Sequence, residues 1–236
     1  MTAPTSQKPK AQQTPKASPG GKLVLFDFDG TLADTADDML AALNRLLAEY
    51  QKPPLSRAAA VGCISGGARA LLQKGGIDEA EAEKARAVFL RYYEETGYAK
   101  TRLLPGIAAM LKTLNGGGIR WGVVTNKPRR YYQPIAEMLG LASRGAAVML
   151  CGDDLAKAKP HPDGLLAAAG QTPPECCFYV GDDWRDAAAA GNAKMAFIAA
   201  VWGYFCQDER WQNLPVFALA SKPSLVPLLA RVLAGH

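Results

Sequence analysis

Four consecutive apolar residues, Leu23-Val24-Leu25-Phe26, run directly into Asp27-Phe28-Asp29-Gly30-Thr31. A strand sends successive side chains to opposite faces, so a run that is apolar at every position must be covered on both. Sheets covered on both faces are built from parallel strands with helical crossovers. The rest of the chain repeats that pattern. Short apolar runs at 119–125, 147–151, 176–181 and 195–201 read as strands. Helical periodicity follows them at 129–139, 162–169, 184–192 and 224–233. Pro134 weakens the first of these helices.

One stretch breaks the alternation. Met39, Leu40, Leu43, Leu46, Leu47 and Tyr50 recur at helical spacing, with Thr35 and Asp38 resembling a capping box. Residues 56–100 carry further helical pattern, clearest over 78–95, and no strand. A helix from Pro105 to the glycines 116–118 then returns the chain to the alternation. The expected fold class is therefore α/β, a Rossmann-like parallel sheet interrupted after its first strand by a helical insert.

Composition narrows the chemistry. The chain has 236 residues, two His and five Cys. Two His leave little room for a His-centred metal site or a Ser-His-Asp triad, and five Cys spread over this length do not make a disulfide framework. The adjacent Cys176 and Cys177 fall on opposite faces of a strand and read as packing. The net charge of +5 invites a nucleic-acid partner, but Lys8, Lys10 and Lys16 lie in the first 21 residues, which hold no acid. The remainder has 24 basic against 22 acidic residues and is nearly neutral. Residues 1–21, rich in Pro, Gln, Thr and Lys, read as a disordered basic tail. With no apolar leader and no run of about 20 apolar residues, a cytoplasmic protein without membrane or nucleic-acid partners is expected.

In an open parallel sheet, ligands sit at the carboxyl ends of the strands. Those ends carry Asp27 and Asp29, then Thr125-Asn126-Lys127, then Lys157 and Lys159, then Asp182-Asp183 with Asp186. Carboxylates gathered in one crevice repel by about 4 kcal/mol per pair at ~4 Å and an effective dielectric of ~20. An oxygen-only set of this kind suits Mg²⁺, whereas zinc would ask for Cys or His. Thr125 and Lys159 could hold phosphate oxygens. Nucleophile, proton donor, metal and charge clamp together fit phosphoryl transfer to a carboxylate.

The stretches DFDGTLADT at 27–35, VVTNKP at 123–128, KPHPDGL at 159–165 and VGDDWRD at 180–186 resemble, in order, the four motifs of the haloacid dehalogenase superfamily of phosphatases. The resemblance spans residues 23 to about 234. It implies an α/β core over 22–35 and 104–236 and a helical cap over 36–103. It also implies Asp27 as nucleophile, Asp29 as general acid and base, and Thr125 and the Asn126 backbone as phosphoryl donors. Lys159 becomes the charge clamp, and Mg²⁺ is held by Asp27, the Asp29 carbonyl and Asp182, with Asp186 beside it and Asp183 in the same motif. An acid at position 29 favours P–O chemistry over dehalogenation, although sugar-phosphate mutases of the superfamily share it.

Selectivity must then come from the insert. Gly66, Gly67 and Arg69 in ISGGAR could receive an anionic group. The wording TNKP and KPHPDGL is similar to phosphoglycolate phosphatases. ISGGARALL, WGVVTNKP, GDDWRD and Gly203-Tyr204 are similar to N-acetylmuramic acid 6-phosphate phosphatases. Both readings imply a small carboxylated phosphate ester, with phosphoglycolate placed first.

Overall fold

The computed structural model describes residues 21–221 together with Pro227. The expected tail at 1–21, apart from residue 21, and the expected helix at 224–233, apart from Pro227, lie outside the described residues.

Strand β1 (Leu23–Phe26) sits in the middle of a six-stranded sheet. Its parallel neighbours are β4 (Arg120–Val124) and β6 (Cys177–Gly181). β5 (Ala146–Leu150) lies outside β4, while β7 (Ala196–Ala200) and β8 (Ala218–Ala220) extend the sheet beyond β6. Every pairing in this sheet is parallel. The chain runs outward from β1 to β5, returns to the other side of β1 at β6, and runs outward again. Such a reversal opens a crevice at the carboxyl ends of the central strands.

The apolar run behaves as its pattern requires. Val24 and Phe26 enter one core cluster with Trp121, Val123, Phe178 and Val180. Leu23 and Leu25 enter the other with Val124, Cys177, Tyr179 and Phe197. Helices α5 (Ile107–Gly116) and α6 (Arg129–Met138) cover the first face; α7 (Asp163–Ala169) and α8 (Trp184–Asn192) cover the second. Pro134 lies inside α6 without ending it.

Between β2 (Ala33–Asp34) and β3 (Arg102–Leu103) come α1 (Ala36–Glu49), α2 (Arg57–Ile64), α3 (Gly67–Lys74) and α4 (Ala82–Glu95). β2 and β3 pair antiparallel, so the insert leaves and re-enters through a two-stranded neck. Leu43, Leu46, Phe89 and Tyr93 bury the facing sides of α1 and α4 in the same cluster as Phe26.

Three local expectations are corrected. Residues 79–81 form a 3₁₀ turn ahead of α4. Pro105 precedes α5 instead of opening it, because Gly106 turns the chain at φ 85°. Thr35 and Asp38 do not make a capping box. The Thr35 hydroxyl donates to Asp29, and Asp38 is buried, accepting from Thr101 Oγ1 at 2.8 Å and from the Lys100 N–H.

Trp121 is fully buried, lies edge-on to Phe26 and donates its indole N–H to Asn115 Oδ1 at 2.9 Å. Trp121→Ala should therefore lower the stability of the fold by about 3–5 kcal/mol, read as a lower denaturant midpoint by tryptophan-independent circular dichroism.

Candidate active site

The ends of β1, β4 and β6 meet at the floor of a cavity of about 240 Å³ roofed by α1, α4 and the α2–α3 turn. Asp27, Asp29, Thr125, Asn126, Lys127, Lys159 and Asp186 line it from the sheet; Gly66, Gly67, Arg69 and Arg86 line it from the insert.

Lys159 lies at the centre. Its ammonium donates at 2.7 Å to Asp27 Oδ1, Asp186 Oδ1 and the Tyr179 hydroxyl, and contacts the Val124 carbonyl at 3.3 Å. The Tyr179 hydroxyl donates in turn to that carbonyl at 2.8 Å. Burial opposes the Lys159 charge, but Asp186 and Asp27 outweigh burial and hold its pKa above the usual value. Burial pushes Asp27 up to about 7 despite Lys159. Burial, with Asp27 and Asp186 nearby, pushes Asp182 well above the usual carboxylate range. Asp186 is also raised by burial, against the opposing charge of Lys159.

Asp27, Asp182 and Asp186 can each offer an oxygen within 4.8 Å of the others. One ammonium cannot neutralise three buried carboxylates. The donor set is oxygen only, and it fits a hard divalent cation of the Mg²⁺ type.

Asp182 is held from three directions. Thr31 Oγ1 donates to one oxygen at 3.1 Å; Ser65 Oγ and the Tyr204 N–H each donate to the other at 3.0 Å. Gly30 is obligatory beside it. Its φ is 81°, and a Cβ there would fall 2.3 Å from Asp182 Oδ2 and 2.6 Å from the Tyr204 ring.

Asp29 faces the other way. It accepts from Thr35 Oγ1 at 2.6 Å and from Lys127 Nζ at 3.0 Å. Its carboxylate is not among the groups that can share a metal, so any metal contact from Asp29 falls to its carbonyl. Burial would depress the Lys127 ammonium, yet Asp29 and Tyr93 beside it raise it above the usual value.

Other expected residues divide. Thr125 is buried on the cavity floor, where its Oγ1 accepts the Lys127 N–H at 3.1 Å. The Asn126 side chain is taken up by the Lys159 backbone, with one bond in each direction at 2.9 Å, and so fixes the loop that presents Lys159. Asp183 caps α8 and grips Arg185 with both oxygens, outside the metal-competent group. Its partner in that capping box is Asp186, whose second oxygen accepts the Asp183 N–H at 3.1 Å. Gly66 and Gly67 line the cavity at the start of α3. Arg69 reaches its edge, but its side chain is 78% exposed and paired with Glu79 at 2.8 Å. Lys157 is exposed and stands by His161.

Sequence reasoning gave no role to Lys127, Tyr179, Ser65, Arg86 or Arg185. Tyr179 had a signal, since a Tyr in a buried strand needs a partner for its hydroxyl. Lys127 stood in the strand-end triplet but without an assigned partner. Nothing local marks Ser65 or Arg86, which matter only because the insert folds over the sheet. No helix among the described residues is long and apolar enough to cross a membrane.

Comparison with known proteins agrees with this geometry. Residues 24–200 match the family model of haloacid dehalogenase-like hydrolases. A phosphoglycolate phosphatase of Xanthomonas campestris pv. campestris is 42% identical over 198 residues, 81% of this chain and 89% of that protein. An N-acetylmuramic acid 6-phosphate phosphatase of Pseudomonas aeruginosa is 35% identical over 218 residues, 90% of this chain and 96% of that protein. A crystal structure from Haemophilus somnus, named a predicted phosphoglycolate phosphatase, superposes with a TM-score of 0.76 at 28% identity, covering 88% of this chain and 97% of that one. The ordered motifs, the parallel sheet and the carboxylate cluster at its switch point thus have one source: the chain belongs to the haloacid dehalogenase-like hydrolase family, among its phosphatases.

Proposed function

We propose that the protein is a Mg²⁺-dependent phosphomonoester hydrolase working through an aspartyl-phosphate, with residues 36–103 as its cap and 22–35 and 104–236 as its core. The observation that carries this reading is the buried set Asp27, Lys159, Asp182 and Asp186 at the closed end of the cavity. Asp27 attacks phosphorus as the bond to the ester oxygen breaks, and protonated Asp29 gives its proton to the departing alkoxide. Asp29 then takes a proton from water as that water attacks phosphorus and the Asp27–phosphorus bond breaks, releasing inorganic phosphate. Thr125 and the Asn126 backbone hold the transferring group, and Lys159 keeps Asp27 oriented. Bound Mg²⁺, held by Asp27, Asp182, the Asp29 carbonyl and Asp186, would offset phosphoryl charge.

The substrate in this reading is a small carboxylated phosphate ester. The relatives at 42% identity favour 2-phosphoglycolate. N-acetylmuramic acid 6-phosphate is the second reading, favoured by the relative aligned over 90% of this chain and by a cavity that runs on past the catalytic end to Arg86.

An aryl phosphate should be hydrolysed with Mg²⁺ and not after chelation, and Asp27→Asn should lose essentially all turnover. Phosphate release by the Asp27→Asn variant at the wild-type rate would refute the nucleophile assignment.

Metal binding should also depend on pH in a fixed direction. Folding moves Asp27 from 3.8 up to about 7. Folded Asp27 therefore holds a proton that the unfolded chain has lost, and its contribution to stability falls as pH rises between those values. A cation must displace that proton at about pH 5.5 but not at about pH 8. The rise in Tm produced by Mg²⁺ should be larger at the higher pH, and calorimetry should detect protons released on binding at the lower.

A further inference from the structure

One helix spans the cavity from its catalytic end to its far end. Arg86, Phe89, Leu90 and Tyr93 of α4 all line it. Their spacing of three and four residues places them in one stripe on the helix surface. Tyr93 marks the catalytic end. The Lys127 ammonium, paired with Asp29, lies 4.8 Å from its ring centroid, and the Tyr93 hydroxyl is buried beside that ammonium. Seven residues at 1.5 Å each put Arg86 about 10 Å farther along the helix axis.

The cations of the cavity wall differ in what they already hold. Lys159 is bound to Asp27 and Asp186, Lys127 to Asp29, Arg185 to Asp183, and Arg69 to Glu79. The Arg86 side chain makes no ion pair or hydrogen bond among the described residues. Glu79 and Glu83 border the neighbouring groove with it, but Glu79 is taken by Arg69 and Glu83 forms no salt bridge among the described residues. An unpaired guanidinium next to the apolar side chains of Phe89 and Leu90 has its two-pronged donor face free for a carboxylate.

We infer that Arg86 binds the second anionic group of the substrate, so that the cavity selects phosphate esters by the distance between phosphorus and a carboxylate. The inference rests on the phosphatase reading and deepens it by separating its two substrates. In 2-phosphoglycolate, three bonds lie between phosphorus and the carboxyl carbon, a span of roughly 4 Å. That molecule reaches one end of the stripe at a time. In N-acetylmuramic acid 6-phosphate about eight bonds intervene, enough to span roughly 8–10 Å. That molecule can hold its phosphate among Asp27, Thr125 and Lys159 while its lactyl carboxylate meets Arg86. The sugar ring then lies along Leu90, between the two ends of the stripe.

The test compares N-acetylmuramic acid 6-phosphate with N-acetylglucosamine 6-phosphate, the matched sugar phosphate without the lactyl carboxylate. The wild type should favour the carboxylated sugar in kcat/KM by about tenfold or more, the scale of a charge-assisted hydrogen bond. Arg86→Gln should collapse that ratio toward one, chiefly through KM, and Arg86→Lys should recover part of it. Arg86 is exposed, so the variants should melt like the wild type, and circular dichroism checks this. A wild-type ratio of one, or a ratio that Arg86→Gln leaves in place, overturns the inference. Mg²⁺-dependent hydrolysis of an aryl phosphate in the same assays keeps the phosphatase reading intact in that event. If the wild type hydrolyses no ester at all, the phosphatase reading fails and the inference with it.

Discussion

The Lys159 ammonium is the interaction on which the site depends. It is 9% exposed and touches two carboxylates and a tyrosine hydroxyl at 2.7 Å. Without it, Asp27, Asp182 and Asp186 would be three adjacent acids in a low-dielectric pocket. Removing one partner from a buried ion pair costs about 3–5 kcal/mol, because the remaining charge has lost its compensation. Much of the surrounding structure serves to place this one group. Asn126 pins the Lys159 backbone from both sides. Tyr179 bridges Lys159 to the end of β4. The α8 capping box sets Asp186 through its second oxygen, leaving the first for Lys159. A helix cap, a strand end and a loop clamp therefore converge on one nitrogen.

The insert is tied to this centre at points where its position and the site's electrostatics are hard to separate. Ser65 donates to the same Asp182 oxygen that accepts the Tyr204 N–H. Tyr204 in turn reaches the neck of the insert. Its hydroxyl accepts from the backbone of Thr35 and Ala36 and donates to Asp34 at 2.8 Å. Arg57 Nη2 donates to both Asp34 oxygens at 2.9 Å, which ties the neck to α2 as well. A buried carboxylate expected to hold metal, a loop residue of the core and the entry to the helical insert thus form one hydrogen-bonded chain. Tyr204 thereby joins Asp182 to the neck by direct hydrogen bonds at its two ends.

The core was legible because parallel strands buried on both faces leave a strong mark. Leu23-Val24-Leu25-Phe26 announced β1, and strand ends deliver their next residues to one crevice by topology alone. Asp27, Asp182, Asp186 and Lys159 could be gathered on that basis before any contact was known. What escaped has physical reasons. β2, β3 and β8 have two or three residues, too few to show a period. Thr35 and Asp38 look like a local cap, but long-range partners, Asp29 and Thr101, compete successfully for their oxygens. Arg69 drew attention because it follows two glycines, whereas Arg86 sits in an ordinary amphipathic helix. The proposal separates them by Glu79, which pairs with Arg69 and not with Arg86.

That choice shows how the fold divides labour. The sheet fixes chemistry at a point, since the ends of β1, β4 and β6 can converge in one place only. A helix laid across the crevice works along a line. Each turn of α4 offers another cavity-facing side chain, and changing one leaves the carboxylate cluster untouched because none of the α4 residues contacts Asp27, Asp182 or Asp186 in a hydrogen bond or ion pair. In the proposed reading, substrate length follows from which α4 position carries the charge. Moving the guanidinium one turn nearer Tyr93 would shorten the span by about 5 Å, to the reach of a much smaller acid. On that proposal, one core serves a short or a long carboxylated ester according to where along α4 the unpaired cation stands.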